Sequence, residues 1–412
     1  MQDEEEELKQ NAKIKVIGVG GGGSNAVNGM IHDNEDLVEY WVLNTDCQAL
    51  SFSPCENKLV LGRSVTRGLG AGGNPERGKQ ASEESYEEIK RIVAGADLVF
   101  IAAGEGGGTG TGGAPVVAKA AQESGCLVIG IVTRPFNFEG KTRRTNALEG
   151  INELKEHVDA IIVVSNDKLM FNDGNLPCGN AFQNADAILG ASVKTVTDII
   201  LHHGLINLDF ADVQGVLCGK GLALIGIGHG KGEKKTIQAA DNAINSPLLE
   251  SSIRGSRSMI ISFTISEDTT LSEIQAGVNY INEKACGSEN SDCNIVFGAQ
   301  IDPDMHDEVS IAIIATDFNK DVGTVDDVMS AATTKEEGKK ENEASVSETE
   351  KRIEEERNSS VLPSFLRSKL AELNGMQLPK EDTDTDKNEP AMSDDDEEPT
   401  VLSGSETSQN KE

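Results

Sequence analysis

The chain has 412 residues, of which 37% are hydrophobic, and a formal net charge of −32 at pH 7. This length is sufficient for two or three domains and a large buried core. The acidic charge argues against duplex nucleic acid as the main partner, because there is no surplus of basic residues to release counterions.

Seven cysteines are spread along the chain without a CxxC pair or a close cluster with histidine. This odd number favours reduced thiols over a disulfide framework or a zinc site. The acidic start, Asp3 to Glu7, lacks the layout of a signal peptide, and no apolar run approaches the length of a membrane span. We therefore expect a soluble, cytoplasmic protein.

Apolar runs and helical segments alternate in the first part of the chain. The predicted strands are 14–19, 40–43, 98–103, 127–133 and 160–165, and the predicted helices are 25–39, 78–94, 114–124 and 142–157. Apolar strands that alternate with helices predict a parallel sheet covered on both faces. Ligands on such sheets bind at the carboxyl ends of the strands.

Glycine-rich loops lie at or near those carboxyl ends, at residues 20–23, 70–73 and 104–113. In the third loop seven of ten residues are glycine, and the following helix is predicted from Ala114 with Pro115 in its first turn. Glycine N–H groups and a helix N-terminus bind anions. Since a tight turn needs only one or two glycines, the sequence predicts a phosphate site on which the three loops converge.

The first loop also fits another chemistry. Gly18 to Gly23 satisfies G-x-G-x-x-G after a strand, and Asp46 ends the next strand, which is the dinucleotide-binding pattern. An NAD-dependent oxidoreductase is therefore an alternative. Against it, a run of glycines meets any spaced pattern easily, and a dinucleotide site does not require the richer loop at 104–113. The absence of G-x-x-x-x-G-K-[ST] excludes a P-loop NTPase.

The pattern changes beyond Asn166. A long helix over 181–201 leads to a loop at 203–212, and then come strands at 222–227, 259–265, 294–300 and 309–315 with helices near 236–245 and 271–282. This predicts a smaller α/β domain with strands of mixed direction. From about residue 318 the acidic, aromatic-poor composition predicts disorder. An apolar and basic patch at 361–370 is interpreted as a partner-binding peptide, with a chance cluster as the alternative.

Asp209 and Asp212 lie three residues apart at the start of a predicted helix. Two carboxylates in this arrangement can orient water or hold a cation. Alternatively, Asp212 caps the helix and Asp209 is solvated, which is the interpretation that the spacing alone favours.

A family resemblance rests on motifs that occur in one order and spacing, at 20–25, 44–46, 68–72, 106–112, 135–141 and 207–212. Together they resemble the FtsZ family of tubulin-like cell-division GTPases, over about residues 14–317. The loop G-G-G-T-G-T-G is the most specific of these motifs.

The resemblance implies an α/β fold with a Rossmann-like parallel sheet in a tubulin-like GTPase domain, a central helix, and a smaller α/β domain with a mixed sheet. The expected boundaries are 1–12 for a disordered acidic N-terminus, 13–180 for the GTP-binding domain, 181–203 for the central helix, 204–318 for the C-terminal domain, and 319–412 for a disordered acidic linker and tail that includes the peptide 361–370.

The resemblance also implies that GTP or GDP binds in the first domain, with Mg²⁺ held mainly through the phosphates and not by protein side chains. The expected binding residues are Gly21, Gly22, Gly23, Ser24, Asn25, Ala71, Gly72, Gly73, Gly107, Gly108, Thr109, Gly110, Thr111, Glu139, Arg143, Asn166, Phe182 and Asp186. Phe182 would stack on guanine, and Asn166 and Asp186 would recognise it. A carboxylate at Asp186 can accept two hydrogen bonds from guanine that adenine cannot offer.

The resemblance also implies that Asn207, Asp209 and Asp212 act in trans, on the nucleotide of the next subunit. This implication favours a catalytic role for the two carboxylates over capping alone. The resemblance implies head-to-tail filaments that form the division ring at mid-cell in the cytoplasm, recruit other division proteins through 362–367, and are tethered to the membrane indirectly, with no nucleic-acid partner. A scaffold that polymerises but hardly hydrolyses GTP is a further alternative. Three features depart from the family pattern: residues 371–412 follow the peptide, Ser262 to Ser266 stand where an Asn-Ile-Thr-Gly-Gly-like turn is common, and Asp317 replaces a usual glycine.

Overall fold

The computed structural model describes residues 12–31, 37–170, 178–201, 204–246, 248–286 and 293–318, and leaves out the side chains of 169, 170 and 178–184. The predicted disorder and peptide at 319–412, and nearly all of the predicted N-terminal tail, lie outside these residues.

The described strands form a single ten-stranded sheet. They are β1 (Ile14–Val19), β2 (Val38–Asn44), β3 (Asn57–Val60), β4 (Leu98–Gly104), β5 (Leu127–Arg134), β6 (Ala160–Ser165), β7 (Gly221–Lys231), β8 (Ser256–Ile265), β9 (Asn294–Ile301) and β10 (Glu308–Phe318). Their order is β3-β2-β1-β4-β5-β6-β7-β10-β8-β9. All pairs from β3 to β7 are parallel, whereas β10 is antiparallel to both β7 and β8. The sheet is therefore mostly parallel with a smaller mixed part, as predicted.

Helices cover this sheet. They are α1 (Gly20–Met30), α2 (Cys47–Phe52), α3 (Arg63–Thr66), α4 (Pro75–Glu84), α5 (Tyr86–Val93), α6 (Thr109–Glu123), α7 (Lys141–Lys155), α8 (Asn166–Met170), α9 (Cys178–Leu201), α10 (Phe210–Leu217), α11 (Lys235–Ile244) and α12 (Leu271–Cys286). A short 3₁₀ turn at Asn137–Glu139 precedes α7.

Burial on both faces explains why the parallel strands are apolar throughout. Every residue of β6 is buried, as is all of β4 except its last residue. One core contains Val27 of α1 and Leu189 of α9, and the core on the other face contains Val117 of α6 and Ile151 of α7. A third core packs α11 and α12 against the mixed strands. In the described part of the chain, none of the helices combines the length and the apolar character needed to span a bilayer.

Several predicted helix boundaries were wrong, most clearly at the glycine loops. The helix expected in 25–39 begins at Gly20, and the helix expected from Ala114 begins at Thr109, so Pro115 lies inside α6 and not in its first turn. The reason is that the glycines themselves form the first turns of both helices. The single helix predicted over 78–94 is two helices, α4 and α5, which meet at Ser85. The short elements α2, α3 and β3 were not predicted.

Candidate functional site

The three glycine loops meet at the carboxyl ends of the parallel strands. A β-carbon on Gly20 would lie 2.7 Å from the Gly110 amide nitrogen, so the first and third loops touch backbone to backbone. A β-carbon on Gly108 would lie 2.8 Å from Cβ of Ala71, which brings in the second loop. The predicted convergence of the loops is therefore observed.

Two helix N-termini point into this convergence without capping side chains. The N-cap positions of α1 and α6 are Val19 and Gly108; neither makes a side-chain cap, and neither helix has an acidic residue in its first turn. The first N–H groups of a helix have no partner within the helix and carry partial positive charge. Side by side, the two termini offer a set of N–H donors suited to a phosphate chain.

The glycines of these loops serve two purposes. This corrects the prediction from their number, which attributed all of them to a bound phosphate. Among the described residues, a β-carbon on Gly21, Gly72, Gly73 or Gly107 would meet nothing within 4 Å. In contrast, a β-carbon on Gly112 would lie 2.0 Å from the Pro75 carbonyl oxygen, and one on Gly110 would lie 2.6 Å from that of Gly104. Gly21 and Gly107 therefore leave open space at the loops, and Gly72 and Gly73 also adopt positive φ. In contrast, Gly110 and Gly112 allow α6 to pack closely on its neighbours.

Unsatisfied polar atoms lie at the same edge of the sheet. Ser24 and Asn166 are 6% exposed, and within the described residues neither Ser24 Oγ nor Asn166 Oδ1 has a hydrogen-bond partner. A buried polar atom without a partner is costly in a native fold. Because Ser24 follows β1 and Asn166 follows β6, these atoms indicate a polar ligand that spans the loops between the two strands.

The two threonines of the third loop hold its shape. Thr109 Oγ1 and Thr45 Oγ1 are 2.6 Å apart in a buried hydrogen bond, and the Gly106 N–H donates to Thr111 Oγ1 at 2.8 Å. Thr45 was not among the predicted site residues, although it lies in one of the motifs. The feature of the sequence that could have identified Thr45 is its position as a polar residue directly after strand β2.

Glu105 is a second residue that sequence reasoning missed. It lies in the third loop, 5% exposed, and its two carboxyl oxygens have no hydrogen-bond partner among the described residues. Burial raises the pKa of Glu105 to about 8, against a smaller lowering by the nearby Thr111 hydroxyl. A β-carbon on Gly150 of α7 would lie 2.5 Å from Glu105 Oε2, so the carboxyl packs against that helix. The loop therefore contains a carboxyl group that is neutral near pH 7.

The predicted base-recognition residues come from α1, α8 and α9. Asp186 of α9 is hydrogen-bonded to the Asn25 side chain of α1, and burial raises the pKa of Asp186 to about 6. A carboxylate that is partly buried and still largely ionised near pH 7 is a competent acceptor for a base. The side chain of Phe182 lies outside those described, and its predicted stacking role stays a prediction.

Glu139 and Arg143 pair with each other at the entrance of the site. Glu139 Oε1 also accepts the Phe136 N–H at 3.0 Å, and the rings of Phe136 and Phe138 stack with their centroids 5.0 Å apart. Gly106 packs beneath Arg143, because a β-carbon there would lie 2.7 Å from the Arg143 carbonyl oxygen. The backbone of Arg143 thus lies against the third glycine loop, and its guanidinium pairs with Glu139.

The carboxylate loop lies at the far end of α9 from Asp186. From Asp186 to the end of the helix at Leu201, α9 extends for about 22 Å at 1.5 Å per residue. The loop is then fixed to β9 by two hydrogen bonds between Ile206 and Ala299, at 3.1 and 3.0 Å. Asn207, Asp209 and Asp212 are all exposed. Helix α10, which begins at these carboxylates, leads into β7, and Gly221 at the start of β7 pairs with Ala160 at the start of β6. The helix therefore ends at the amino edge of the parallel strands, whereas the glycine loops lie at their carboxyl edge.

The structure shows that Asp209 and Asp212 cap a helix, and it is also compatible with a catalytic role for them. Asp209 is the N-cap of α10, and Asp212 closes the capping box from its third position. Each carboxylate uses one oxygen in the box, Oδ1 of Asp209 and Oδ2 of Asp212. Capping therefore fixes the pair and leaves the other oxygens available, so that it does not exclude a catalytic role.

Asp46 does not support the NAD alternative. Its Oδ1 accepts the Gln48 and Ala49 N–H groups at 2.8 and 3.3 Å, so the carboxylate caps α2. A ribose would have to compete with this cap. As for metals, the residues that the structure describes include no group of three or more His, Cys, Asp or Glu side chains able to hold an ion.

Comparison with protein-family models gives two matches. The GTPase domain of the Tubulin/FtsZ family matches residues 13–172, and the C-terminal domain of the FtsZ family matches residues 221–319. The two models follow one another along the chain in the order that the motifs predicted.

Solved structures give the same result. An empty FtsZ dimer from M. jannaschii is 40% identical, with a TM-score of 0.71, and the match covers 76% of this chain and 92% of that one. A mutant FtsZ from the same organism is 41% identical over 77% and 95% of the two chains, with a TM-score of 0.70. CetZ2 from Haloferax volcanii, solved as a GTPγS-bound protofilament, has a TM-score of 0.66 over 80% and 99% of the chains, but at 19% identity it shows the fold alone.

Proposed function

Because the chain belongs to the Tubulin/FtsZ family of GTPases, we propose that it hydrolyses GTP at a site completed by a second copy of itself, within head-to-tail filaments. The single observation that carries this proposal is that Asp209 and Asp212 lie beyond the C-terminal end of α9, whereas Asp186 lies about 22 Å before that end. Since carboxylates at the far end of this helix cannot reach the glycine loops of their own chain, a neighbouring chain must bring them.

Exposed apolar side chains next to each half of the site support such a contact. Leu69 and Phe138, 80% and 64% exposed, lie in the second glycine loop and in the 3₁₀ turn before α7. Leu205, Leu271 and Ile301 are also exposed; Leu205 adjoins Ile206, which bridges to β9, and Ile301 ends that strand. Exposed apolar groups at functional loops mark interaction surfaces. A head-to-tail contact between two different surfaces that does not close into a ring propagates as a filament.

The glycine loops would hold the nucleotide. We assign the phosphates to the N–H groups of Gly21 to Asn25 and of Gly107 to Thr111, with Ala71 to Gly73 at the terminal phosphate, and the ribose side to Glu139 and Arg143. Asp186 would accept hydrogen bonds from the N1–H and amino group of guanine, with Asn166 on the same base. Mg²⁺ would bind mainly through these phosphates and would neutralise charge that develops in phosphoryl transfer.

The neighbouring chain would then supply the groups that orient water. The free oxygens of Asp209 and Asp212 would accept hydrogen bonds from a water molecule and align it with the terminal phosphorus, while Asn207 shapes the loop by accepting the Gly204 N–H at 2.6 Å. The water oxygen forms the new bond to phosphorus while the bond to the bridging oxygen breaks. The bridging oxygen leaves on GDP, and a proton of the water passes to the released phosphate. Alignment by a subunit contact makes hydrolysis depend on assembly.

The similarity to FtsZ supports a proposal for the cellular role. We propose that the filaments form a division ring at mid-cell on the cytoplasmic side, tethered indirectly to the membrane, with other division proteins bound through 362–367. The identity of 40% to an FtsZ, against 19% to CetZ2, supports an FtsZ-like role.

A nucleotide panel tests the biochemical proposal. GTP, but not ATP or NAD, should raise the melting temperature, and phosphate should be released from GTP. Stabilisation by NAD without an effect of GTP would instead favour an oxidoreductase. GTP binding and assembly without phosphate release would indicate a scaffold that does not turn over.

A further inference from the structure

Glu250 is an acidic side chain buried against the strands that lead to the candidate site. Its side chain is 4% exposed, and Oε2 lies 3.9 Å from a guanidinium nitrogen of Arg134, the last residue of β5. The backbone N–H of Ser165, the last residue of β6, donates a hydrogen bond to the same carboxylate. Glu250 therefore contacts the ends of two neighbouring strands, directly before the loops that contain the candidate ribose and base residues.

Lys168 joins the same cluster from α8. Its ammonium group donates to the carbonyl oxygens of Leu249 and Glu250, at 2.6 and 2.7 Å. It also lowers the pKa of the Glu250 carboxyl, as Arg134 does, against the larger raising effect of burial. Burial still raises the pKa of Glu250, and its Oε1 has no hydrogen-bond partner among the described residues, so the two cations and the backbone N–H offset only part of the cost of burying this carboxyl.

The segment that carries Glu250 is anchored by its own side chains. Leu249 is buried in the core of the mixed strands, and Leu248 packs against the core that contains α9. The carboxylate is therefore held at a fixed position beside β5 and β6, and its contacts restrain the loops that follow these strands.

Asn166 lies between the two contacts of the cluster, since Glu250 binds Ser165 before it and Lys168 follows it. The next residue, Asp167, accepts the Asn137 N–H at 3.0 Å and so links this turn to the loop after β5. Asn166 Oδ1 is buried and, among the described residues, without a partner. The turn is thus fixed on both sides while its amide oxygen stays available.

We propose that Glu250 is a positioning residue for base recognition, which holds the turn that presents Asn166 to the nucleotide. This inference deepens the proposed function and rests on it. Without Glu250, the Ser165 N–H and Arg134 lose a shared partner, and the turn is no longer held in one orientation.

A double-mutant cycle in nucleotide binding tests the proposal. GTP affinity is measured by equilibrium titration of the full chain at concentrations too low for assembly, for wild type, Glu250→Ala, Asn166→Ala and the double variant. Each single change should weaken binding about 10-fold, and the double variant should also lose about 10-fold, because the second change removes a contact already lost. A double loss equal to the product of the single losses, or unchanged affinity in Glu250→Ala, would overturn the proposal.

Further measurements separate positioning from damage to the fold. Glu250→Gln keeps an acceptor for the Ser165 N–H and should recover most of the affinity. Affinity for inorganic tripolyphosphate, which has no base, should not change in Glu250→Ala. Glu123→Ala, which removes an exposed pair with Lys90, is the matched control and should bind GTP like wild type. If wild type itself failed to bind GTP, the proposed function would fall; if only the Glu250 variants behaved like wild type, this inference alone would fall.

Discussion

Asp209 and Asp212 cap each other across the first turn of α10. The Asp212 N–H donates to Asp209 Oδ1 at 2.8 Å, and the Asp209 N–H donates to Asp212 Oδ2 at 3.2 Å. This reciprocal pair fixes two carboxylates in one orientation at an exposed loop. The same contacts that stabilise the helix therefore prepare the groups that we assign to catalysis.

Substitutions at Asp212 separate these two functions. Asp212→Ala removes the acceptor of the Asp209 N–H and should lose about 0.5 kcal/mol of stability, because the Asp209 cap itself remains. It should lower GTP turnover by about 100-fold or more, while GTP binding is kept. Asp212→Asn retains an oxygen that can accept the Asp209 N–H, so its urea unfolding curve should match wild type while turnover still falls. Wild-type turnover in Asp212→Asn would show that the carboxylate serves only as a cap.

The sequence predicted most of the fold because the parallel strands are apolar throughout and the helices between them are long. It failed at the glycine loops, where Gly20 and Thr109 begin helices that a propensity argument starts later. It also attributed the third loop's glycines to a ligand alone, whereas Gly110 and Gly112 are required by packing. Close backbone approach depends on neighbours distant in sequence and leaves no local signal.

The site was predictable where residues follow strands, and less so elsewhere. Asn166 and Asp186 came from the family resemblance, and the structure places Asp186 beside Asn25. Glu105 and Glu250 were not predicted, since a glutamate in a loop is ordinarily solvated and only tertiary packing shows that these two are buried.

Asp186 should make nucleotide binding depend on pH. Burial raises the pKa of this carboxyl to about 6, and only the ionised form accepts both hydrogen bonds from guanine. GTP affinity should therefore fall as the pH drops through 6, by up to about 10-fold per unit, in titrations between pH 5 and 8. This dependence should disappear in Asp186→Asn.

The same variant should change the base preference. An Asn amide can accept a hydrogen bond from N1–H of xanthine and donate one to the oxygen at C2, where guanine carries its amino group. Asp186→Asn should therefore prefer xanthosine triphosphate to GTP. Competition titrations measure this preference. If Asp186→Asn bound GTP as tightly as wild type, Asp186 would not be the guanine acceptor.

Glu105 should make folding stability fall with rising pH. Because burial raises the pKa of this carboxyl from 4.5 to about 8, the folded chain binds one more proton than the unfolded chain between these values. Its contribution therefore declines by about 1.4 kcal/mol per pH unit in this window and is constant above it.

Glu105→Gln isolates this effect, since Gln stays neutral. The stability difference between variant and wild type, from urea unfolding at pH 5 to 9, should shift in favour of the variant up to about pH 8. A difference that did not change with pH would show that Glu105 is not held neutral in the folded chain.

Asp317 occupies a backbone conformation that favours glycine. Its φ is 57°, and the pairing of β10 with β8 skips it between Thr316 and Phe318. Asp317→Gly should relieve about 1 kcal/mol of strain and lose a partly buried ion pair with Lys220 that contributes up to about 1 kcal/mol, so stability should stay equal or rise slightly. Asp317→Ala keeps the strain and should be less stable than the Gly variant by about 1 kcal/mol in urea unfolding. Equal stability of Asp317→Gly and Asp317→Ala would show that the positive φ at this position does not lower the stability of the fold.

In the proposed filament one chain holds GTP and the next chain supplies the carboxylates. The most direct test is the GTPase rate per subunit as a function of protein concentration, with light scattering followed in parallel. We expect turnover per subunit to be low at concentrations where no scattering appears and to rise steeply at the concentration where filaments form. A rate per subunit that stays constant across this range would contradict a shared site.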